Sequence, residues 1–184
     1  MLYHASPVKD IKTLTPHVSN HKKPLIYFSS KPENTLVYLS NAIEKCCKEK
    51  GFAHTGAYAK WGPYGFNKEG ILTLDEYYPD ATTDTYRGVQ GYIYTAEENG
   101  LVKSFGEIPF AFISEIPIEV KGVFFIPDAY EAITQAVKEG KIILTEYRCN
   151  SPKKLEWIEK TVREEYEAAS DEYKFFLKQK FSFI

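Results

Sequence analysis

Cysteine, net charge and long apolar runs are all scarce in this 184-residue chain. Its three cysteines, Cys46, Cys47 and Cys149, cannot all pair within the chain, so we expect reduced thiols in a reducing compartment. No run of about 18 apolar residues is present to span a membrane, and residues 1–4 lack the charged-then-apolar layout of a signal peptide. These absences predict a cytoplasmic protein with no membrane partner.

Several common kinds of site are missing as well. The formal net charge of −2 argues against binding of nucleic acid by bulk electrostatics, so there is no strong nucleic-acid signature. No Gly-x-Gly-x-x-Gly dinucleotide motif is present. Cys46, Cys47 and His54 lack the spacing of a tetrahedral zinc site, and no metal site is predicted.

Aromatic residues are abundant instead. They make up 15% of the chain, with 14 Tyr and 12 Phe, while apolar residues at 43% and charged residues at 26% are ordinary for a soluble globular protein. The length suffices for one domain with a real core. This composition favours a β-rich core or an aromatic-lined pocket.

Short apolar, β-branched and aromatic runs predict a series of strands. They lie at residues 1–6, 25–28, 91–95, 110–114, 120–126 and 142–147, with a strand or a short helix at 71–78. Helical spacing predicts helices at 34–50, 129–139 and from Ser151 onward, with a further short helix from about Asp171. Asp128 and Ser151 are expected N-caps, and Gly51 is an expected helix exit.

The strand-rich and helical parts divide near residue 150. We predict an α+β core over residues 1–148 and a helical C-terminal appendage, packed on that core, over residues 149–184.

The stretch from Leu25 to Tyr38 organises the chain. A buried strand ends at Tyr27 and Phe28, and Ser30 with Glu33 has the pattern of a capping box, which predicts a helix start near Ser30. Residues three apart share a helix face, so Thr35 and Tyr38 are expected to return toward the end of the strand. The result is a plausible cleft for a flat ring with polar edges.

This stretch resembles the second motif of the ADP-ribosyltransferase superfamily, of the His-Tyr-Glu type found in diphtheria-toxin-like and poly(ADP-ribose) polymerase catalytic domains. That motif is a strand ending in Tyr-Phe, with a Ser eight residues and a Tyr eleven residues after the first Tyr. Here these positions are Tyr27, Phe28, Thr35 and Tyr38, with Thr in place of Ser.

The first and third motifs of the family have counterparts in the same order. Tyr3-His4-Ala5-Ser6 resembles the first-strand His with its small residue and Ser or Thr, although Ala5 stands where the family has Gly. Glu115, which precedes the late strand at 120–126, is similar to the third-motif Glu. The resemblance implies a pair of packed antiparallel or mixed sheets with flanking helices. The helical tail has no counterpart in the family pattern.

The resemblance also implies a reaction and roles. NAD would be a consumed substrate, and Glu115 would stabilise an oxocarbenium-like sugar as the nicotinamide–ribose bond breaks. His4 would hold a ribose hydroxyl, and Tyr27 and Tyr38 would stack on nicotinamide.

The remaining implied roles fall to Ala5, Ser6 and Thr35. The Ala5 backbone and the Thr35 hydroxyl would bind the carboxamide, and Ser6 completes the first motif. The acceptor of ADP-ribose, whether protein, nucleic acid or small molecule, is not indicated by the sequence.

Two other interpretations stay open. One is a non-catalytic nucleotide-binding or interaction module on the same fold. The other is removal of an RNA 2'-phosphate with NAD, which needs several basic residues in the cleft. Taken singly, each site residue also has a structural explanation: Tyr27 and Tyr38 as core aromatics, and Glu115 as a solvated loop acid. If Glu115 lies away from the cleft, Glu146 is the next candidate.

Overall fold

A computed structural model describes residues 1–18, 23–55, 64–106 and 108–184. Its strands are β1 (Leu2–Ser6), β2 (Thr13–Leu14), β3 (His17–Val18), β4 (Pro24–Ser29), β5 (Tyr64–Phe66), β6 (Leu72–Asp75), β7 (Gly91–Ala96), β8 (Lys103–Ser104), β9 (Ala111–Ser114), β10 (Ile118–Glu119), β11 (Gly122–Ile126) and β12 (Ile142–Thr145). Its α-helices are α1 (Ala42–Lys50), α2 (Ala81–Tyr86), α3 (Ala129–Lys138), α4 (Pro152–Ala168) and α5 (Asp171–Lys180), and 3-10 helices span Pro32–Tyr38 and Tyr147–Cys149.

The chain has an α+β fold built around a seven-stranded antiparallel sheet. Its strand order is β11-β7-β1-β4-β9-β8, and β3 pairs with β4 off this path. A separate three-stranded sheet has the order β12-β6-β5, with β12 parallel to β6. The predicted α+β class, with antiparallel and mixed sheets, is therefore confirmed.

The strand β7 lies between β1 and β11 in the large sheet and is mostly buried. Alternating aromatic and β-branched residues suit such a position because they fill both faces of a pleated strand. Its first residue, Gly91, lies so close to Leu39 that a Cβ there would require the Leu39 side chain to move. This close approach joins the sheet to the segment that follows the first 3-10 helix.

The helix expected to start near Ser30 begins later than predicted. The residue before a proline is driven to extended geometry, and Lys31 has φ −115° and ψ 119° ahead of Pro32. The 3-10 helix starts at Pro32 with no side-chain cap. The capping box assigned to Ser30 and Glu33 is therefore wrong.

The single helix expected over residues 34–50 is two helices. Leu39 leaves helical geometry at φ −85° and ψ 64°, and α1 starts only at Ala42. The two pieces belong to different cores: Leu36 packs with Ile93 and Ile133, whereas α1 packs with the C-terminal helices. The break at Leu39 lets the two helices pack against different cores.

The other predicted helix signals are confirmed. The Asp128 side chain accepts hydrogen bonds from the backbone amides of Tyr130 and Glu131 at the start of α3, and Ser151 accepts one from Lys154 at the start of α4. Gly51 ends α1 in the left-handed conformation at φ 67°.

The C-terminal helices α4 and α5 pack on α1. Phe176 and Leu177 of α5 are fully buried against Ile43 and Cys47 of α1. In the described ranges no helix combines the length and the apolar character needed to cross a membrane.

Candidate functional site

A cavity of about 410 Å³ opens beside β1 and β4. It is bordered by residues from both strands, from the first 3-10 helix, from β5 and from the turn before β9: His4, Ala5, Ser6, Pro7, Val8, His17, Tyr27, Phe28, Ser29, Asn34, Thr35, Tyr38, Tyr64, Phe66, Ile108, Pro109 and Ala111. Ligand pockets in proteins have volumes of roughly 300–1,000 Å³, so the cavity has the size of a small-molecule site.

The cavity arises where two neighbouring strands separate. The strand β1 pairs with β7 along all five of its residues, but it pairs with β4 only at Tyr3 and Ser29. Beyond that pair the backbones no longer bond to each other. The His4 side chain reaches across instead, with its Nδ1 atom 2.8 Å from the Tyr27 carbonyl oxygen.

This hydrogen bond decides which nitrogen of the neutral His4 ring carries the proton. A carbonyl oxygen only accepts, so Nδ1 carries the proton and donates it, and Nε2 is left as an acceptor. Burial lowers the pKa of His4 below 6.5, and the charge of His17 acts in the same direction, while the bond to Tyr27 opposes the shift. His4 is therefore a neutral imidazole at pH 7, able to accept a hydrogen bond from a ligand hydroxyl.

Aromatic rings and a buried hydroxyl form the wall made by the 3-10 helix and β5. The Tyr38 hydroxyl lies 2.6 Å from that of Tyr64, and the two rings meet edge to face. Thr35 is 2% exposed, and its hydroxyl donates to the Pro32 carbonyl oxygen at 2.7 Å. Thr35 can therefore accept a hydrogen bond from a ligand, but its proton is already used.

The first-motif residues Ala5 and Ser6 also border the cavity. Ala5 pairs with Ile93 of β7, and the Ser6 hydroxyl accepts a hydrogen bond from the Val8 amide at 3.1 Å. That bond closes the turn after β1. Six of the seven predicted site residues thus meet at one cavity.

Glu115 does not join them, and the expectation that it would converge on the cleft is wrong. Ala111, the first residue of β9, borders the cavity, whereas Glu115 is exposed just past the last residue of the strand. Four residues of extended chain span about 13 Å. The antiparallel register sets Ser114 opposite Ile26, so the strand carries Glu115 away from Ser29 and the cavity.

Glu146, the next candidate, also lies elsewhere. It is exposed at the end of β12, in the small sheet, and its carboxylate pairs with Arg148 at 2.6 Å.

The described lining of the cavity contains no Asp, Glu, Lys or Arg, and its ionisable imidazoles are those of His4 and His17. Beside the lining, the Lys31 ammonium lies 3.8 Å from the centre of the Phe110 ring. Lys31 follows Ser29 closely in sequence, and Phe110 lies between the lining residues Pro109 and Ala111. The described lining therefore offers a ligand neither a carboxylate nor an ammonium group of its own.

Asn34 was not predicted and is the least expected residue of the lining. It is 6% exposed, and within the described residues neither its amide nitrogen nor its amide oxygen has a hydrogen-bond partner. A polar residue at an inward position of the turn between Ser30 and Thr35 was the available signal. The sequence analysis singled out Thr35 and Tyr38 and passed over Asn34, although a residue four before Tyr38 shares its helix face.

Tyr64 and His17 were missed for a different reason. Tyr64 follows residues 56–63, which lie outside the described ranges, and no strand or helix was predicted at its position. His17 lies in a stretch for which neither a strand nor a helix was predicted. Both reach the cavity only through pairings of short strands, of β5 with β6 and of β3 with β4.

Comparisons of the chain with protein-family models, curated proteins and solved structures found no match. The likeness to the ADP-ribosyltransferases therefore rests on the motif residues themselves.

Proposed function

We propose that the cavity binds NAD by its nicotinamide end, and that the chain is a nicotinamide-nucleotide-binding protein of the ADP-ribosyltransferase type. The observation that carries the proposal is the meeting of His4, Tyr27, Thr35 and Tyr38 at one cavity from two distant parts of the sequence. These are the residues that the resemblance assigns to ribose and nicotinamide.

The chemistry of the lining supports a ligand of this kind. Tyrosine rings favour a flat ring through offset or edge-to-face contacts. The neutral His4 offers an acceptor for a ribose hydroxyl, and Lys31, near Phe110, supplies positive charge for a diphosphate. The nicotinamide ring of NAD is a cationic pyridinium, and the face of a tyrosine ring attracts such a cation.

Transfer of ADP-ribose is the second candidate, favoured by the order and spacing of the same motif residues. When the nicotinamide–ribose bond breaks, positive charge develops on the sugar, and a nearby carboxylate is expected to stabilise it. The described lining supplies no carboxylate, and Glu115 lies outside it. Binding is therefore the function that the geometry supports best.

Calorimetric titration with NAD tests the proposal, with nicotinamide release measured by chromatography in the same samples. We expect saturable binding that Tyr38→Ala weakens by about tenfold, because aromatic contacts contribute about 0.5–1.5 kcal/mol beyond burial and 1.4 kcal/mol is a factor of ten. Tyr166→Ala, in α4 outside the cavity, is the matched control and should bind normally.

Each outcome has a distinct meaning. Equal weakening by both substitutions, or no binding by the wild type, would contradict the proposal. Binding without nicotinamide release supports the binding module, and release that depends on Tyr38 supports the transferase.

A further inference from the structure

Asn34 combines burial, polarity and the lack of a partner at the edge of the cavity. Its amide nitrogen and oxygen are both shielded from solvent, and neither has a hydrogen bond within the described residues. Most buried amides in folded proteins are paired with protein or with ordered water. Keeping this one unpaired is unfavourable, because in the unfolded chain it bonds to water.

Other hydrogen-bond donors on this turn already have partners, whereas the side-chain amide of Asn34 does not. The Asn34 backbone amide donates to the Lys31 carbonyl oxygen at 3.2 Å, and the Thr35 hydroxyl donates to the Pro32 carbonyl oxygen at 2.7 Å. The side chain of Asn34 thus keeps both a donor and an acceptor unused within the described residues.

We propose that Asn34 determines the specificity of the cavity: its amide turns to a bound ligand and pairs with an edge that carries a donor beside an acceptor. A rotation about the side-chain bonds accompanies binding, because both amide atoms are shielded in the structure. An asparagine amide matches such an edge with two parallel hydrogen bonds.

Two parts of NAD carry that edge, the primary carboxamide of nicotinamide and the amino-substituted edge of adenine. A carboxylate of the same shape does not, because it has no hydrogen-bond donor. The choice of these probes rests on the proposed function, whereas the preference for a donor–acceptor edge rests on Asn34 alone.

Calorimetry with four small probes tests the inference: nicotinamide against nicotinic acid, and adenine against unsubstituted purine. We expect the wild type to prefer the first member of at least one pair by about tenfold or more. Asn34→Leu, which removes the amide at similar volume, should bring the two members to within about twofold. The matched control is Asn41→Leu, at an exposed position whose side chain makes no capping bond.

The pair that discriminates tells which end of NAD the cavity reads. If Asn34→Leu does not fold, Asn34→Ala replaces it in the same comparison. Equal binding within both pairs, discrimination that survives loss of the amide, or no binding of any probe would overturn the inference. NAD binding without discrimination would overturn it and leave the proposed function standing, whereas discrimination without NAD binding would do the reverse.

Discussion

Asn34 at the cavity and Asp84 in the core beneath the C-terminal helices are buried polar groups in opposite situations. In the helical core, the Asp84 carboxylate accepts a hydrogen bond from the Tyr78 hydroxyl at 2.7 Å and pairs with the Lys180 ammonium at 2.7 Å. At the cavity, Asn34 has neither of its amide atoms paired within the described residues. The Asp84 contacts hold helices together, whereas the Asn34 amide keeps a donor and an acceptor for a ligand.

The comparison teaches where stability and binding should separate. Burial works to raise the pKa of Asp84, but the hydrogen bonds from Lys180 and Tyr78 outweigh it and leave that pKa below its ordinary value. A carboxylate held in this way stabilises the native state. An unpaired buried amide destabilises it, so changes in the two regions should have different effects on unfolding and on ligand affinity.

The largest effect is expected from the apolar part of the helical core. Phe176→Ala should lower the free energy of unfolding by about 3–5 kcal/mol, because it leaves a cavity where the ring was fully buried. Urea unfolding measures the loss. Phe124→Ala, on β11 at 58% exposure, is the control and should change stability by less than about 1 kcal/mol. A loss in Phe176→Ala as small as that in Phe124→Ala would show that the helical tail adds little to the core.

A medium effect is expected when the paired carboxylate is removed. Asp84→Asn should cost about 1–3 kcal/mol of unfolding free energy, since it leaves Lys180 without its partner in a half-buried position. Affinity for NAD should not change. Glu164→Gln, which breaks an exposed pair with Lys160, should cost less than about 0.5 kcal/mol. Loss of NAD affinity in Asp84→Asn would break the separation of the two regions.

A smaller effect is expected on mild acidification. Burial lowers the pKa of His4 below 6.5, so the unfolded chain takes up a proton that the folded chain refuses as the pH falls through about 6.5. The free energy of unfolding should therefore fall between pH 7.5 and pH 5.5, above the range in which carboxylates titrate. Urea unfolding at both pH values should show a smaller fall in His4→Gln. An identical fall in the variant would rule His4 out as its source.

The smallest effect is expected at Glu115. Because this side chain is exposed past the end of β9, Glu115→Gln should leave both the unfolding midpoint and NAD affinity unchanged. Calorimetry and thermal unfolding check both quantities. A loss of nicotinamide release in this variant, with binding intact, would restore Glu115 as the catalytic carboxylate and require the cavity to close toward it.

Local chemistry made much of the fold predictable. The strands with dense β-branched and aromatic residues, such as β7, lie where their composition indicated, and Asp128 and Ser151 cap the helices that they were expected to cap. The contacts that decide the two caps lie within a few residues of the capping side chain. The motif spacing likewise brought Tyr27 and Tyr38 to one cavity, because a strand and the helical turn after it form one local unit.

What the sequence could not predict depends on pairings between distant segments. The direction of β9 beside β4 decides that Glu115 lies far from Ser29, and nothing near Glu115 encodes that register. The break at Leu39 lies between segments that belong to two separate cores. The unpaired state of Asn34 depends on every neighbour at once, so it becomes visible only in the folded chain.

The binding of NAD in this cavity is tested most directly by nuclear magnetic resonance of isotope-labelled protein titrated with NAD. We predict that the side-chain amide signals of Asn34 and the ring signals of His4 shift together and saturably, while the backbone amide of Glu115 stays in place. Shifts confined to another surface, or no shifts at millimolar NAD, would contradict it.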